Sequence, residues 1–349
     1  MRLEVKGHPL HTRALAVWLA ERADGKLDVG GELVDLRKRG FVPVGADLQT
    51  SGIVHHMRLA GVVDRETRAL ESIVAAQPAV AFEPSALSTG ESCRDPIDRI
   101  QELRNTPLDA SFSRRAAEAI GGPRGCSHIL TLAHLLGSSV AWALERERQL
   151  HGEIPARRAG ERLFRRDLIL DGHETDGQSL QVAIQLTDVH FAPSPPIARP
   201  MERFAAELEV RALADVETPT FSLRGIECGW RERGLTDLDR APWRSLDERL
   251  SSLVGLPLLG GFTSKVREQF GDAPAERPLC DALLMVGPAL IQIIAAMSET
   301  WPSEASRSPS LMGTGGLPDS CYMWRRDGAL HRVMKGELDS GTLKKRRAS

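Results

Sequence analysis

The stretch Cys93–Gly121, CRDPIDRIQELRNTPLDASFSRRAAEAIG, returns 150 positions later as Trp243–Gly271, WRSLDERLSSLVGLPLLGGFTSKVREQFG. Arg94 falls on Arg244, Arg99 on Arg249, Leu103 on Leu253 and Pro107 on Pro257. Leu108, Phe112, Glu118 and Gly121 keep the same residue at the same offset. Upstream, Leu33-Val34-Asp35 answers Leu186-Thr187-Asp188 at an offset of 153, as small loop insertions allow. The match stops at the reactive residues. Cys93 becomes Trp243, and Cys126-Ser127-His128 becomes Leu279-Cys280-Asp281. One half is equipped for chemistry and the other for support.

Working outward, each copy begins with strand-like segments and ends with helical ones. Ala14 to Glu21 leads through Asp24-Gly25, a hairpin dipeptide, into Leu27 to Leu36. Ile53 to Val63 reads as a third strand, and Thr67 to Gln77 as a fourth by analogy with its counterpart Thr220 to Trp230. Pro96 suits the first turn of a helix ending near Arg104. A second helix fits Ser113 to Ile120, stopped by Gly121-Gly122, and a long one runs from Ser127 to Gln149 with apolar residues at helical spacing. Strands first and helices last predict an α+β fold. The expected organisation is two tandem homologous domains, each an antiparallel sheet followed by helices, packed as a pseudo-two-fold pair. Residues 1–150 form the first copy, 151–162 a linker, 163–300 the degenerate second copy, and 301–349 an extension with a strand at Cys321 to Arg325 and a basic tail.

Length and charge bound the function. At 349 residues the chain exceeds one comfortable core. A formal charge of −2 supplies no long-range attraction to nucleic acid or to an anionic membrane. The basic block Lys344-Lys345-Arg346-Arg347 reads as a solubilising tail. Five cysteines with no CxxC pair point to a reducing compartment, and the polar start Met1–Lys6 lacks the apolar core of a signal peptide. The longest apolar run, Ala282 to Met297, falls short of a membrane span. The expectation is a cytoplasmic monomer or homodimer that meets a small-molecule substrate rather than nucleic acid or membrane.

Three places in the first copy gather unusual side chains. His55-His56 lie on a strand, so their side chains point to opposite faces and one at most addresses a given site. Cys93 precedes the Pro96 helix. Gly125-Cys126-Ser127-His128 opens the long helix, where the free N–H groups and partial positive charge favour a thiolate, a metal ligand or a bound anion. Each has a plainer reading beside it. A single cysteine is ordinarily a small buried hydrophobe, Ser127 an N-cap, and His128 a solvated first-turn residue. His8 and His11 are weak candidates near the terminus, Asp35 reads as a turn cap recurring as Asp188, and Cys228, Cys280 and Cys321 read as packing.

Arg13, the Asp-Gly hairpin, Leu33-Val34-Asp35, His55-x-Met57, Cys93, Gly125-Cys126-Ser127-His128, Cys321-Tyr322 and Asp327-Gly328 together resemble domain of unknown function 2889, an uncharacterised bacterial family. The resemblance covers most of residues 8–150 and, more weakly, 160–330. His56 stands where the family usually has an acidic residue. The family's frequency in bacteria that degrade aromatic compounds implies a phenolic substrate. The order of strands, ligand-type residues and helices is also similar to the NifU-like iron–sulfur scaffold proteins, which implies convergence of His55, Cys93, Cys126 and His128 on Zn²⁺ or iron.

Three functions follow. The first is a non-redox lyase or isomerase, with no certain cofactor. His55 or His128 would act as general acid or base, Cys126 and the helix N-terminus would hold an oxyanion, and Asp35 or Arg13 would orient the substrate. No phosphate loop, nucleotide fingerprint or Gly-x-Ser-x-Gly elbow is present. The second is a metal or iron–sulfur scaffold on the same residues. The third is a structural subunit in which the histidines and cysteines are inert.

Overall fold

A computed structural model describes residues 1–39, 42–44, 47–49, 51–85, 88–153, 155–175, 179–193, 200–218, 220–234, 240–297 and 317–334. The start of the predicted extension, through 316, and the basic tail lie outside these residues. The first four long strands are β1 (His8–Glu21), β2 (Leu27–Arg37), β5 (Gly52–Val63) and β6 (Ala69–Ala79). A small hairpin of β3 (Val42–Val44) and β4 (Asp47–Gln49) interrupts them, and the short β7 (Thr106–Pro107) follows. Gly25, at φ +79°, closes the turn between β1 and β2, a conformation that costs glycine nothing. A 3₁₀ turn, Ile97–Leu103, occupies the place predicted for an α-helix after Pro96. Helices α1 (Phe112–Ile120) and α2 (Ser127–His151) complete the half.

The second half repeats the sequence of elements. Strands β8 (Arg162–Glu174), β9 (Ser179–Phe191), β10 (Phe204–Glu217), β11 (Ser222–Gly234) and β12 (Arg244–Ser245) precede α3 (Asp247–Leu250), α4 (Phe262–Phe270), α5 (Arg277–Leu284) and α6 (Val286–Ala296). All ladders among the described residues are antiparallel; β3 and β4 pair only with each other, and the other strands join in one ten-stranded sheet, ordered β12-β11-β10-β9-β8-β1-β2-β5-β6-β7. The expectation of a sheet in each half is therefore corrected: β1 pairs along most of its length with β8, Leu15 facing Leu168. The reason lies in the backbone. An unpaired strand of that length would present a row of unsatisfied N–H and C=O groups, and pairing removes both edges at once.

Alternate residues Leu15, Val17 and Leu19 of β1 are fully buried, as a sheet with one covered face requires. Helix α2 packs on β1, β2 and β5, α6 on β1, β8 and β2, and α5 on β9 and β10. The helical runs Ser127–His151 and Pro274–Ala296 are each long and apolar enough to cross a membrane. The second is longer than the sequence suggested, because a turn at Pro274, α5 and α6 run on from one another. In both, 72% of the apolar window is buried within the protein, so the sheet they cover accounts for their composition. The segment Cys321–Arg325, predicted as a strand, is a 3₁₀ turn (Tyr322–Trp324) tied by the Tyr322 N–H to the Gly125 carbonyl at 2.8 Å.

Candidate active site

Sheet register assembles the site. Arg13 on β1 faces Asp35 on β2, and Asp35 faces His55 on β5, so three side chains stand in a row across three strands. Irregularities in the ladders fall beside this row, between Pro9 and His11 and between Asp35 and Leu36. Such bulges re-aim neighbouring side chains. Arg13 donates Nε and Nη2 to the two Asp35 oxygens at 2.8 Å each. His11 Nε2 lies 3.3 Å from Oδ1, while His55 Nδ1 and His128 Nε2 each lie 3.2 Å from Oδ2. The His55 and His128 rings stack, with centroids 3.8 Å apart. His56, on the opposite face, pairs with Glu32 at 2.6 Å, as strand alternation requires.

The cluster sets one guanidinium and one carboxylate among three imidazole rings. Burial opposes ionisation of Asp35, but the Arg13 charge and the imidazole contacts outweigh it and hold the carboxyl well below the usual carboxylate range. Burial pushes His128 down to about 3, helped by neighbouring His55, and lowers His11 as well. Burial raises the thiols too: Cys126 to about 11, Cys93 well above its ordinary value, Cys321 upward. Although the imidazoles approach Asp35 closely, neither His11 nitrogen nor His55 Nδ1 makes a well-aligned hydrogen bond. Two buried rings, His11 and His55, therefore sit in polar contact without full satisfaction. A purely structural cluster rarely leaves so many such groups.

Above the cluster opens a cleft enclosing roughly 820 Å³ of unfilled space, its mouth included. His55, His128, Cys93 and Cys126 all line it, so the four distant residues predicted to converge share one cavity. Its apolar walls come from Met57, Phe82, Ile291, Met323 and Trp324. Arg13 and Asp35 lie beneath it in the cluster. Two contributions were not anticipated. Helix α6 of the second half supplies Gln292, whose Nε2 lies 3.5 Å from His128 Nε2. Cys321, read as packing, lines the cleft from the closing turn. His11, read as peripheral, is fully buried against Asp35 because β1 begins at His8, six residues before the sequence pattern declares it. Asp35 is no turn cap but the buried centre of an ion pair. The signal for His11 was its spacing: two residues from Arg13, it shares that residue's face.

Asp35, His55 and His128 offer three ligand atoms within 4.8 Å of one another, the one such group among the described residues. Two imidazoles and a carboxylate suit Zn²⁺ or Fe²⁺. Cys93 and Cys126, the other predicted ligands, line the cleft and stand outside this group.

The second half holds a similar ion pair, with other residue types at the offset positions of the three rings. At an offset of 153, Arg166 donates to Asp188 at 2.7 and 2.6 Å, fully buried. Phe164 stands in the place of His11, Leu208 faces Asp188 as His55 faces Asp35, and Asp281 takes the place of His128 and accepts from Arg166. Asp281 is also bonded by Ser138 Oγ of α2, at 2.8 and 2.7 Å.

Fold and cluster together describe an α+β protein with a carboxylate–imidazole site at the base of an apolar cleft. Residues 11–141 match the model of a family described as protein of unknown function (DUF2889), a span that holds His11, Arg13, Asp35, His55, Cys93, Cys126 and His128. A comparison with curated proteins finds no match.

Proposed function

We propose that the protein is a small-molecule enzyme that moves protons in the cleft, with His55 and His128 as acid and base and Asp35 as the group that orients them. The observation that carries this reading is the difference between the halves. An Arg–Asp pair is kept in both, so the fold needs the pair; the imidazoles are kept only where a cleft opens above them. The halves are read as homologous copies in pseudo-two-fold relation, the second holding the first in shape and lending Gln292. Contact of His55 Nδ1 and His128 Nε2 with the carboxylate leaves the opposite nitrogen of each ring as the proton acceptor. Proton transfer by a placed imidazole contributes about 10²–10⁴-fold. The two stacked rings cannot comfortably carry two charges, so one proton at a time passes through the pair. Apolar walls suit a substrate with an aromatic body, which keeps a phenolic compound as the substrate class, acted on by a lyase or isomerase without redox change.

The test is incubation of the protein with a panel of phenolic compounds in D₂O, following loss, product and solvent exchange by mass spectrometry and NMR. Turnover or exchange that falls about 100-fold or more in His55→Gln supports the reading. Turnover in His55→Gln and His128→Gln equal to that of the wild type contradicts it.

A second reading has its own observation, the spacing of Asp35, His55 and His128. These residues would hold a divalent Zn or Fe ion, which would supply Lewis acidity to a substrate oxygen. Electrostatics favours the first reading. Arg13 already neutralises Asp35, so a dication would leave a net charge of about +2 in a buried site. Metal analysis after purification decides between them: stoichiometric Zn or Fe lost together with His55→Gln favours the metal, and protein that turns over its substrate after chelation favours the imidazoles.

A further inference from the structure

We infer that Cys126 is a covalent nucleophile, with His128 taking its thiol proton and Asp35 fixing that imidazole. The inference rests on the proposed reading of the cleft as a substrate site and adds a bond-forming atom to it. The geometry runs in one line. Cys126 Sγ lies 3.9 Å from His128 Nδ1, and the opposite nitrogen, Nε2, lies 3.2 Å from Asp35 Oδ2. A ring that gives its Nε2 hydrogen to the carboxylate presents a bare Nδ1 to the thiol. Nucleophile, base and orienting group then stand in the order that general-base activation requires.

Local structure supplies what the attacking atom needs. Cys126 is the N-cap of α2, extended at φ −100° and ψ 122°, and the N–H groups of His128 and Ile129 lie against its sulfur. The free N–H groups and dipole of a 25-residue helix favour negative charge at that point. Its side chain lines the cleft beside His55, itself about nineteen-twentieths buried with Nδ1 lacking a hydrogen bond. Where the second half closes this position, the thiol becomes Leu279 and the base Asp281, and no pairing of sulfur and imidazole survives.

Burial keeps both partners neutral at rest, so the thiol carries its proton until an electrophile arrives. The substrate class is a neutral molecule with an electron-poor carbon, an activated alkene or a carbonyl. As the S–C bond forms, the S–H proton moves to His128 Nδ1 and the carbon's π pair moves to the far atom. His128 then delivers the proton to that atom, completing a thiol addition with no oxidant or reductant. Reversal after rearrangement or cleavage releases product and restores the thiol.

N-ethylmaleimide is the probe, used on the native full-length protein at pH 7 with peptide mass mapping of each cysteine over time. Cys93 and Cys321 line the same cleft, so they control for access. The expected result is labelling of Cys126 about tenfold or more faster than either, falling to their level in His128→Gln. Labelling of Cys126 no faster than Cys93 and Cys321 in the wild type overturns the inference, whether or not the variant folds. So does a folded His128→Gln that labels at the wild-type rate. Slow labelling joined to lost turnover in His55→Gln would remove the nucleophile and keep the acid–base reading. Fast, His128-dependent labelling with turnover indifferent to His55→Gln would do the reverse.

Discussion

Asp35 touches four basic side chains while fully buried, and two different demands meet on it. The ion pair with Arg13 is part of the fold; the imidazoles are tuned by it. Asp35→Asn would strip the negative charge and leave the Arg13 guanidinium buried without compensation, which costs about 3–5 kcal/mol. Urea denaturation should show that loss, and a shift under 1 kcal/mol by the same measure would mean the guanidinium finds another anion. The buried histidines predict an acid limb of stability. His128 at about 3, His190 at about 3 and His134 at about 4 all lie below the ordinary 6.5, chiefly through burial. Between those values and 6.5 the unfolded chain takes up protons that the folded chain refuses. Stability present above pH 6.5 is therefore lost as pH falls toward 4, by up to about 1.4 kcal/mol per pH unit for each group. The lowered carboxyl of Asp35 adds loss of the same sign at the acid end. Urea midpoints across pH 4–8 check this, and a flat profile would contradict neutral buried rings.

Helix α2 is the element that joins core to site. Its first turn presents Cys126 and His128, and its middle must lie close on α1. Gly137 permits that approach: a Cβ there would stand 2.5 Å from the Phe112 ring. Alanine would add about 1 kcal/mol of helix propensity, yet the overlap costs about 1–3 kcal/mol. Gly137→Ala should therefore lower the urea midpoint, and a raised midpoint would show that Phe112 moves aside freely. Elements of this kind were legible before the structure. Periodicity gave α2, the hairpin dipeptide gave the β1–β2 turn, and alternation gave β5. The 3₁₀ turns at Ile97–Leu103 and Tyr322–Trp324 were not legible, because short turns carry no period to read. The convergence of Cys93, Cys126, His55 and His128 was expected from the resemblance to the NifU-like proteins, not from spacing. His11 and Cys321 escaped, since their place depends on sheet register and on a closing turn from nearly 200 residues away.

Across the whole molecule the two strand sets share one sheet, and β1 meets β8 along its length. A chain cut after residue 151 would bare that edge and lose Gln292, Ile291 and Trp324 from the cleft. It should aggregate or unfold in size-exclusion chromatography, whereas a folded, monodisperse fragment would show that the halves stand alone. The alignment of the two halves led to an expectation of two sheets and not of the joined one, since nothing in residue spacing says which strand edges meet. The central claim is that the imidazoles of the leading half serve chemistry while the trailing half shows what the fold alone requires. His55→Leu tests it most directly, because it places in the first half the residue type that the second half carries as Leu208. Its free energy of unfolding in urea is the measurement. A value equal to or above wild type within about 1 kcal/mol is predicted, since a poorly satisfied buried ring gives way to an apolar side chain. A loss of about 3 kcal/mol or more would contradict the account, showing that His55 holds the structure together.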